Sequence, residues 1–449
     1  MTSKRLGSVL GLSFGVAVGL GCESSENPPP PAIPVGGSGS SGGSAGAAAG
    51  TTGASGGSGG DGAGGTAGDA GSSGTAGSAG SGGGCATECP MGGFCLMGEC
   101  KCPADKPDIC DNTCVSLAGD PDHCGVCTTA CEPGAACVAS ACGDPPTELV
   151  AGTGCGVMRL AVFGTDLYWT EADSGKVRTI PLAGGTATDV ATDQLKPISI
   201  AVDADGVYWS NEGDTSADSS TVMKQALPLS ADPPLVLATG TATEPESPVI
   251  KAIAVADSTL YYTLVHEVHA ISTDEAETAD DVVGQATNLD IGPEGAGYPS
   301  GLALEDMYVI WTTGVRSGVE RDTLAAGLDG YLELGESQGD MVFADIFTDG
   351  TNAYWATGSS IRYVSLEKTV GENVEDVTTT PDFENVTTLT IDATNVYFSN
   401  DGYVFKAPLT GGDAVMIARG QMAPTSMVVA GSTLYFATSD CAIRSLSLE

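Results

Sequence analysis

Leu167-Tyr168-Trp169-Thr170 is the first of seven copies of one phrase, in which an apolar run and a polar turn lead to an aromatic pair and a small polar residue. The other copies are Val207-Tyr208-Trp209-Ser210, Leu260-Tyr261-Tyr262-Thr263, Val309-Ile310-Trp311-Thr312, Ala353-Tyr354-Trp355-Ala356, Val396-Tyr397-Phe398-Ser399 and Leu434-Tyr435-Phe436-Ala437. All four tryptophans of the chain hold the same place in the phrase. Counted from Tyr168, successive spacings are 40, 53, 49, 44, 43 and 38 residues. Strand-like units recurring about every 40–50 residues mark a β-propeller, whose blades cannot bury their apolar faces alone.

Each repeat divides into four short strands. In the second copy the pattern predicts strands over 198–202, 207–210, 222–227 and 235–239, separated by Gly, Asp and Pro turns. Consecutive apolar residues such as Val207-Tyr208-Trp209 suit strands buried on both faces, as in stacked blades. The turns Leu182-Ala183-Gly184-Gly185 and Leu409-Thr410-Gly411-Gly412 recur between third and fourth strands.

The last repeat supplies only three strands. Its missing fourth is expected from Glu148-Leu149-Val150-Ala151-Gly152, which resembles Leu235 to Thr239 of the second repeat. Such borrowing closes the ring and removes its free edge. Cys441 and Cys155 then fall beside one another in an antiparallel pair, so a Cys155–Cys441 disulfide is expected. The expected fold is therefore all-β, a seven-bladed propeller over residues 148–449 closed by an N-terminal strand in the last blade. Six blades plus an irregular segment is the alternative, because Ile310 replaces the first aromatic of the fourth copy and Met307-Tyr308 disturbs its turn.

The formal charge of −40 argues against nucleic acid or an anionic membrane surface as a direct partner. Lys4 and Arg5 precede an apolar run from Leu6 to Leu20, the pattern of a secretory signal over residues 1–21. Residues 22–84 are rich in Pro, Gly and Ser and bury too little apolar surface to offset chain entropy, so they are expected to form a disordered tether. Two short motif matches carry no chemistry. Gly11-Leu12-Ser13-Phe14-Gly15 lies in the signal, and Gly37-Ser38-Gly39-Ser40-Ser41-Gly42 lies in the tether.

Of the fifteen cysteines, twelve lie between Cys85 and Cys142. An even count so densely spaced in an exported chain reads as a disulfide-stapled module over 85–142, with its pairing left open. Cys85, Cys89, Cys95 and Cys100 share their spacing with Cys127, Cys131, Cys137 and Cys142, which reads as a small duplication. A zinc site through Cys124, Cys127 and His123 is the lesser reading.

Three resemblances follow from these residues. Val18-Gly19-Leu20-Gly21-Cys22 resembles a bacterial lipoprotein box, with Gly19 where Leu is usual. That resemblance implies lipidation at Cys22, and Glu23 after it points weakly to the outer membrane. The stretch from Cys110 to Cys142 resembles the stigma-specific cysteine-rich family and its relatives in exported myxobacterial proteins, which implies an extracellular disulfide module. The aromatic phrase resembles the YWTD repeat of receptor propellers and, more closely, repeats of myxobacterial lipoproteins. It departs at the fourth position, with Glu171 and Asn211 among others instead of Asp, so only the fold carries over.

Candidate chemistry is confined to acids. Glu171, Asp173, Glu212, Asp214, Asp218, Asp401 and Asp440 fall in loops between second and third strands, where a shared rim forms an acidic collar able to hold Ca²⁺. Turn residues on a solvated face are the simpler reading. Asp203, Glu305, Asp349 and Asp392, each five residues before the first aromatic position, recur too regularly for a site and suit a turn role. Asp274, Glu275, Glu277, Asp280 and Asp281 read as a solvated acidic loop. His266 and His269 stand three apart on a strand, on opposite faces, which is no metalloprotease pattern.

The expected function is an exported, lipid-anchored, non-catalytic binding or scaffold protein of the bacterial outer membrane that presents its propeller to a protein or glycan ligand. The alternatives are a calcium-dependent propeller enzyme of lactonase or lyase type and a passive structural spacer.

Overall fold

Adjacent residues of a strand point to opposite faces, so the two aromatics of each phrase need two different neighbours. The computed structural model supplies both. It describes residues 85, 88–152, 156–213, 220–240, 249–264, 267–274, 281–285, 299–313, 318–324, 332–335, 342–367, 374–378, 383 and 385–448. These residues form strands and loops, with no helix among them.

Seven antiparallel four-stranded sheets make up the propeller. Blade 1 comprises Val157–Phe163, Asp166–Glu171, Lys176–Pro181 and Thr188–Ala191. Blade 2 comprises Pro197–Val202, Gly206–Asn211, Thr221–Ala226 and Leu235–Thr239. Blade 3 runs from Ile253–Ala256 to Asp281–Gln285, and blade 4 from Pro299–Glu305 to Leu332–Gly335. Blade 5 runs from Val342–Thr348 to Glu375–Asp376, and blade 6 from Val386–Ile391 to Val415–Ala418. Blade 7 takes Pro424–Ala430, Thr433–Thr438 and Ile443–Ser447 from the C-terminus, and Thr147–Val150 as its fourth strand. The borrowed strand pairs Val150 with Ile443 and Glu148 with Arg444. The first strand of every blade neighbours the first strands on either side, and that of blade 7 meets that of blade 1. The ring is closed, with seven blades, and its first strands surround the centre.

The repeated aromatic pair explains the closure. Seven hydrophobic cores sit between consecutive blades, and each joins the first aromatic of one blade to the second aromatic of the next. Tyr168 packs with Trp209, Tyr208 with Tyr262, and Tyr261 with Trp311. Ile310 packs with Trp355, Tyr354 with Phe398, and Tyr397 with Phe436. Tyr435 of blade 7 completes the cycle with Trp169 of blade 1, in a core that also holds Val150 and Ile443. The four tryptophans are fully buried. Truncating any one to alanine costs about 3–5 kcal/mol by lost transfer energy and the cavity left behind.

The acids five residues before the first aromatic are turn devices. Asp392 Oδ1 accepts the backbone N–H of Thr394 and of Asn395, at 2.7 Å each, while Oδ2 accepts the Tyr397 hydroxyl at 2.6 Å. Asp349 does the same with Thr351, Asn352 and Tyr354, and Asp203 with Asp205, Gly206 and Tyr208. One carboxylate thus caps the hairpin and anchors the tyrosine that fills the next core. Burial and then the carboxylate push the Tyr354 and Tyr397 phenols well above their usual range. Burial raises the Asp392 carboxyl, but the Tyr397 hydroxyl and the two amides outweigh it and hold the group low. In the fourth copy Ile310 has no hydroxyl to give, so Glu305 lacks this partner. Asp349→Ala is expected to cost about 1–3 kcal/mol, since it strands a buried phenol and two turn amides; urea unfolding of the single variant measures it.

The N-terminal module is held by six disulfides: Cys85–Cys95, Cys89–Cys100, Cys102–Cys114, Cys110–Cys127, Cys124–Cys137 and Cys131–Cys142. The pairing corrects the frame of the duplication. Cys124, not Cys127, is the counterpart of Cys85, because 124–137 and 131–142 repeat the pattern 85–95 and 89–100. It also removes the zinc reading, since Cys124 and Cys127 are both oxidised and His123 Nδ1 lies 3.0 Å from Asp120. The module docks on blade 6. Ala135 bridges Ala418, Arg419 N donates to Gly134 O at 3.1 Å, and Arg419 Nη1 lies 3.2 Å from Asp122 Oδ1. That contact covers part of an exposed sheet edge. Disulfides at this density fit an oxidising, exported environment.

Cys441 is itself in a disulfide. Its expected partner Cys155 lies outside the described residues, as do Cys22, the signal and tether segments, Asp214, Asp218, His266, Glu275, Glu277 and Asp280.

Candidate functional site

The centre of the ring is built from one equivalent position on each first strand. Arg159, Ser199, Ala252, Gly301, Asp345, Thr388 and Ser426 each precede the core residue that pairs with the second aromatic of its own blade. Most of these strands carry a register irregularity here, which turns the following amide toward the neighbouring blade. Three amides are answered by the preceding blade's side chain. Ser426 Oγ accepts from Leu160 N at 3.1 Å, Ser199 Oγ from Ile253 N at 3.3 Å, and Asp345 Oδ2 from Leu389 N at 3.0 Å.

Two members of this belt meet across the middle. Arg159 Nη2 of blade 1 lies 2.9 Å from Asp345 Oδ1 of blade 5, with the two side chains 3% and 1% exposed. Blades 1 and 5 are not neighbours, so the ion pair reaches across the centre of the ring. Thr388 Oγ1 of blade 6 adds a 2.6 Å bond to Asp345 Oδ2. The Nη2–Oδ1 approach is a charge contact without aligned hydrogen-bond geometry, and Arg159 Nε has no acceptor among the described residues. Burial pulls the Arg159 guanidinium down to about 10, against the opposing pull of Asp345. It remains cationic at neutral pH.

The collar acids share the rim made by loops between second and third strands, but each described one except Asp173 is engaged by its own surroundings. Glu171 is buried, accepting Trp169 Nε1 at 2.8 Å and Ser174 Oγ at 2.7 Å, with Arg178 Nη1 at 3.5 Å. Asp440 is gripped by Arg444, Nη2 to Oδ2 at 2.6 Å and Nη1 to Oδ1 at 3.1 Å. Asp401 accepts Asn385 Nδ2 at 2.9 Å, and Glu212 lies 3.7 Å from Lys196 Nζ. Among the described residues, the groups of three ligating atoms that converge are Cys85, Cys89 and Cys100, and Cys124, Cys131 and Cys142, all of them disulfide-bonded. His269 is likewise a packing residue, stacked on Tyr262 with centroids 5.1 Å apart.

Arg444, then Thr438, hold the Asp440 carboxyl at about 2 against the effect of burial. A carboxylate depressed in the folded state stabilises the fold above its unfolded value of 3.8, and that stability is lost as pH falls toward about 2. Asp440→Asn is therefore expected to flatten the acid limb of the stability curve between those two values. Denaturation midpoints measured across that range check it.

One open cleft of about 550 Å³ breaks this rim between blades 1 and 2, lined by Asp173, Ser174, Asp193, Gln194, Lys196 and Glu212 among others. Its walls are tied by hydrogen bonds. Gln194 N donates to Gly175 O at 2.9 Å, and Gln194 Oε1 accepts the buried Trp209 Nε1 at 2.9 Å and Asn211 Nδ2 at 3.2 Å. Gly175 has φ +62°, and a Cβ there would lie 2.5 Å from Gln194 O, so no other residue fits. The cleft offers carboxylates, amides, a hydroxyl and one ammonium group, chemistry that suits a polar ligand.

Sequence reasoning missed Arg159, Asp345, Thr388 and Ser426. Their common signal was available: each directly precedes an aliphatic or sulfur-containing core residue at the same distance upstream of the aromatic pair. It is weak, because the seven residues share neither charge nor size.

No protein-family model matches the chain, and no curated protein matches it. Solved structures do. Virginiamycin B lyase from Staphylococcus aureus superposes with TM-score 0.52 at 15% identity, covering 68% of this chain and 98% of the lyase. The β-propeller domain of Myceliophteria thermophila Cps50 (Swd1) gives TM-score 0.51 at 9% identity over 68% and 100% of the two chains. The WD40 propeller of Doa1 gives 0.50 at 12% identity over 68% and 97%. At such identities the likeness is one of fold.

Proposed function

We propose that this chain is an exported, lipid-anchored binding or scaffold protein of the bacterial cell envelope that presents its propeller to a protein or glycan ligand. In this reading residues 1–21 are a signal, Cys22 carries the lipid, and residues 22–84 are a tether. The observation that carries the binding role is the cleft between blades 1 and 2, set in a rim whose neighbouring acids are largely engaged with their own chain. The hydrogen-bonded walls of the cleft support a preorganised surface, and preorganisation lowers the entropic cost of binding. Compartment chemistry supports export, since six disulfides staple a module with so small an apolar core.

The test is a glycan and envelope-protein array probed with the mature chain, with and without calcium. Binding that Lys196→Glu and Glu212→Lys each weaken by tenfold or more places the ligand at the cleft. Arrays that stay blank in both conditions overturn the binding role. Stoichiometric calcium by elemental analysis, with lyase or lactonase turnover, favours the enzyme alternative instead. Globomycin-sensitive processing and a diacylglyceryl group on Cys22 by mass spectrometry check the anchor.

A further inference from the structure

The cysteine-rich module exposes apolar side chains where the fold has no use for them. Its first hairpin pairs Phe94–Leu96 with Glu99–Lys101 around a turn at Met97-Gly98. Phe94 and Leu96 share one face and are 48% and 47% exposed, while Met97 at the tip is 97% exposed. Met97 and Gly98 have φ of 53° and 83°, the left-handed pair of a tight hairpin turn, for which Asn or Asp is the low-cost first residue. At 97% exposure the Met97 side chain buries almost nothing against the fold. Met91, close by in sequence, is a further exposed apolar side chain, at 71%.

This apolar tip lies at a particular end of the molecule. Cys85, the first described residue, is bonded to Cys95 between Phe94 and Leu96, and its N–H lies 3.0 Å from Cys95 Sγ. The chain that arrives from the N-terminus is therefore stapled to the back of the hairpin whose front carries Phe94 and Leu96. We infer that the Phe94–Leu96–Met97 tip inserts into the headgroup boundary of the same membrane that holds the anchor, seating the module on the bilayer. The inference rests on the lipid-anchored reading above.

Charge selects the lipid. A net charge of −40 repels anionic headgroups, whereas Glu99 and Lys101 cancel within the hairpin, so the fitting surface is zwitterionic. Tethering makes so small a patch sufficient. A Gly/Ser-rich chain of the length of residues 22–84 averages roughly 40–45 Å end to end, which holds the tip near the surface at an effective concentration on the order of millimolar. Insertion too weak to recruit a free protein is then populated in an anchored one, with the propeller carried above the module through its contact on blade 6.

The experiment uses the lipidated full-length chain in phosphatidylethanolamine–phosphatidylcholine vesicles with brominated acyl chains. Phe94→Trp adds one exposed reporter to four tryptophans that are fully buried. The expected result is that the added emission shifts to the blue and is quenched by the bromine, and that Met97→Asp in the same background abolishes both effects. Added emission that stays unquenched in protein that floats with the vesicles overturns the insertion while leaving the anchor intact. Protein that does not float refutes the anchor; a histidine tag at residue 22 on nickel-chelating zwitterionic vesicles then tests the tip by itself, with the same two readings. Self-association by sedimentation that Met97→Asp removes, without quenching, shows that a second copy covers the tip and likewise overturns the proposal.

Discussion

Arg159→Met is expected to destabilise the propeller by about 3–5 kcal/mol, because it leaves the Asp345 carboxylate buried at the centre of the ring without its counter-charge. Asp345→Leu is expected to cost a similar amount by stranding the guanidinium, and it also removes the acceptor for Thr388 Oγ1 and Leu389 N. The double variant is the informative one. Replacing both charges with apolar groups of similar volume removes two desolvation penalties together, so Arg159→Met with Asp345→Leu is expected to recover the part of the loss due to an unpaired charge, while the cost of stranding Thr388 Oγ1 and Leu389 N remains. Guanidinium unfolding of the three variants gives the coupling energy. Additive losses would show that the two groups do not depend on one another. Arg159, held at about 10, stays charged throughout the neutral range in the intact pair.

Cys441→Ser is expected to cost about 2–5 kcal/mol, the upper end applying if its bond links residues far apart along the chain. Thr147–Val150 and Ile443–Ser447 are joined by few ladder bonds, so this blade depends on whatever else fastens its borrowed strand. The proposed partner is Cys155, which encloses nearly the whole propeller in one loop. Alkylation of native protein followed by peptide mapping decides the pairing: Cys155 must be protected in the wild type and become reactive in Cys441→Ser. Cys155 already reactive in the wild type would sink it. Val150→Asp attacks the same closure without touching sulfur, burying a charge in the core shared by Trp169, Tyr435 and Ile443, and is expected to be at least as damaging.

Most of the fold was legible because it repeats. A blade cannot bury Tyr208 and Trp209 by itself, so the recurrence of adjacent aromatics already implied a neighbour on each side, and seven recurrences implied seven. The aberrant fourth copy, which made six blades an alternative, proved to be a substitution and not a break: Ile310 fills the same inter-blade core that tyrosines fill elsewhere. The role of Asp349 and Asp392 was equally readable, since a carboxylate at a fixed distance before a tyrosine answers a local turn and a local hydroxyl. The collar acids were legible as residues of one rim but not as individuals. Whether Glu171 meets solvent or Trp169 Nε1 depends on a side-chain rotation that a strand pattern does not encode. Cysteine pairing was hidden for a related reason, as twelve cysteines in one short segment satisfy many connectivities and the frame of the duplication turned on Cys124 against Cys127.

From the chain alone came the architecture: blade number, strand order, the borrowed closing strand and the oxidised module. These follow from periodicity and from the requirement that apolar faces be covered, both of which act along the sequence. The ion pair across the centre and the module's seat on blade 6 came only from the tertiary structure. Arg159 and Asp345 stand 186 positions apart on strands of unrelated composition, and Ala135 finds Ala418 across 283. Such contacts are created by the curvature of the ring, which brings together residues that no local pattern relates.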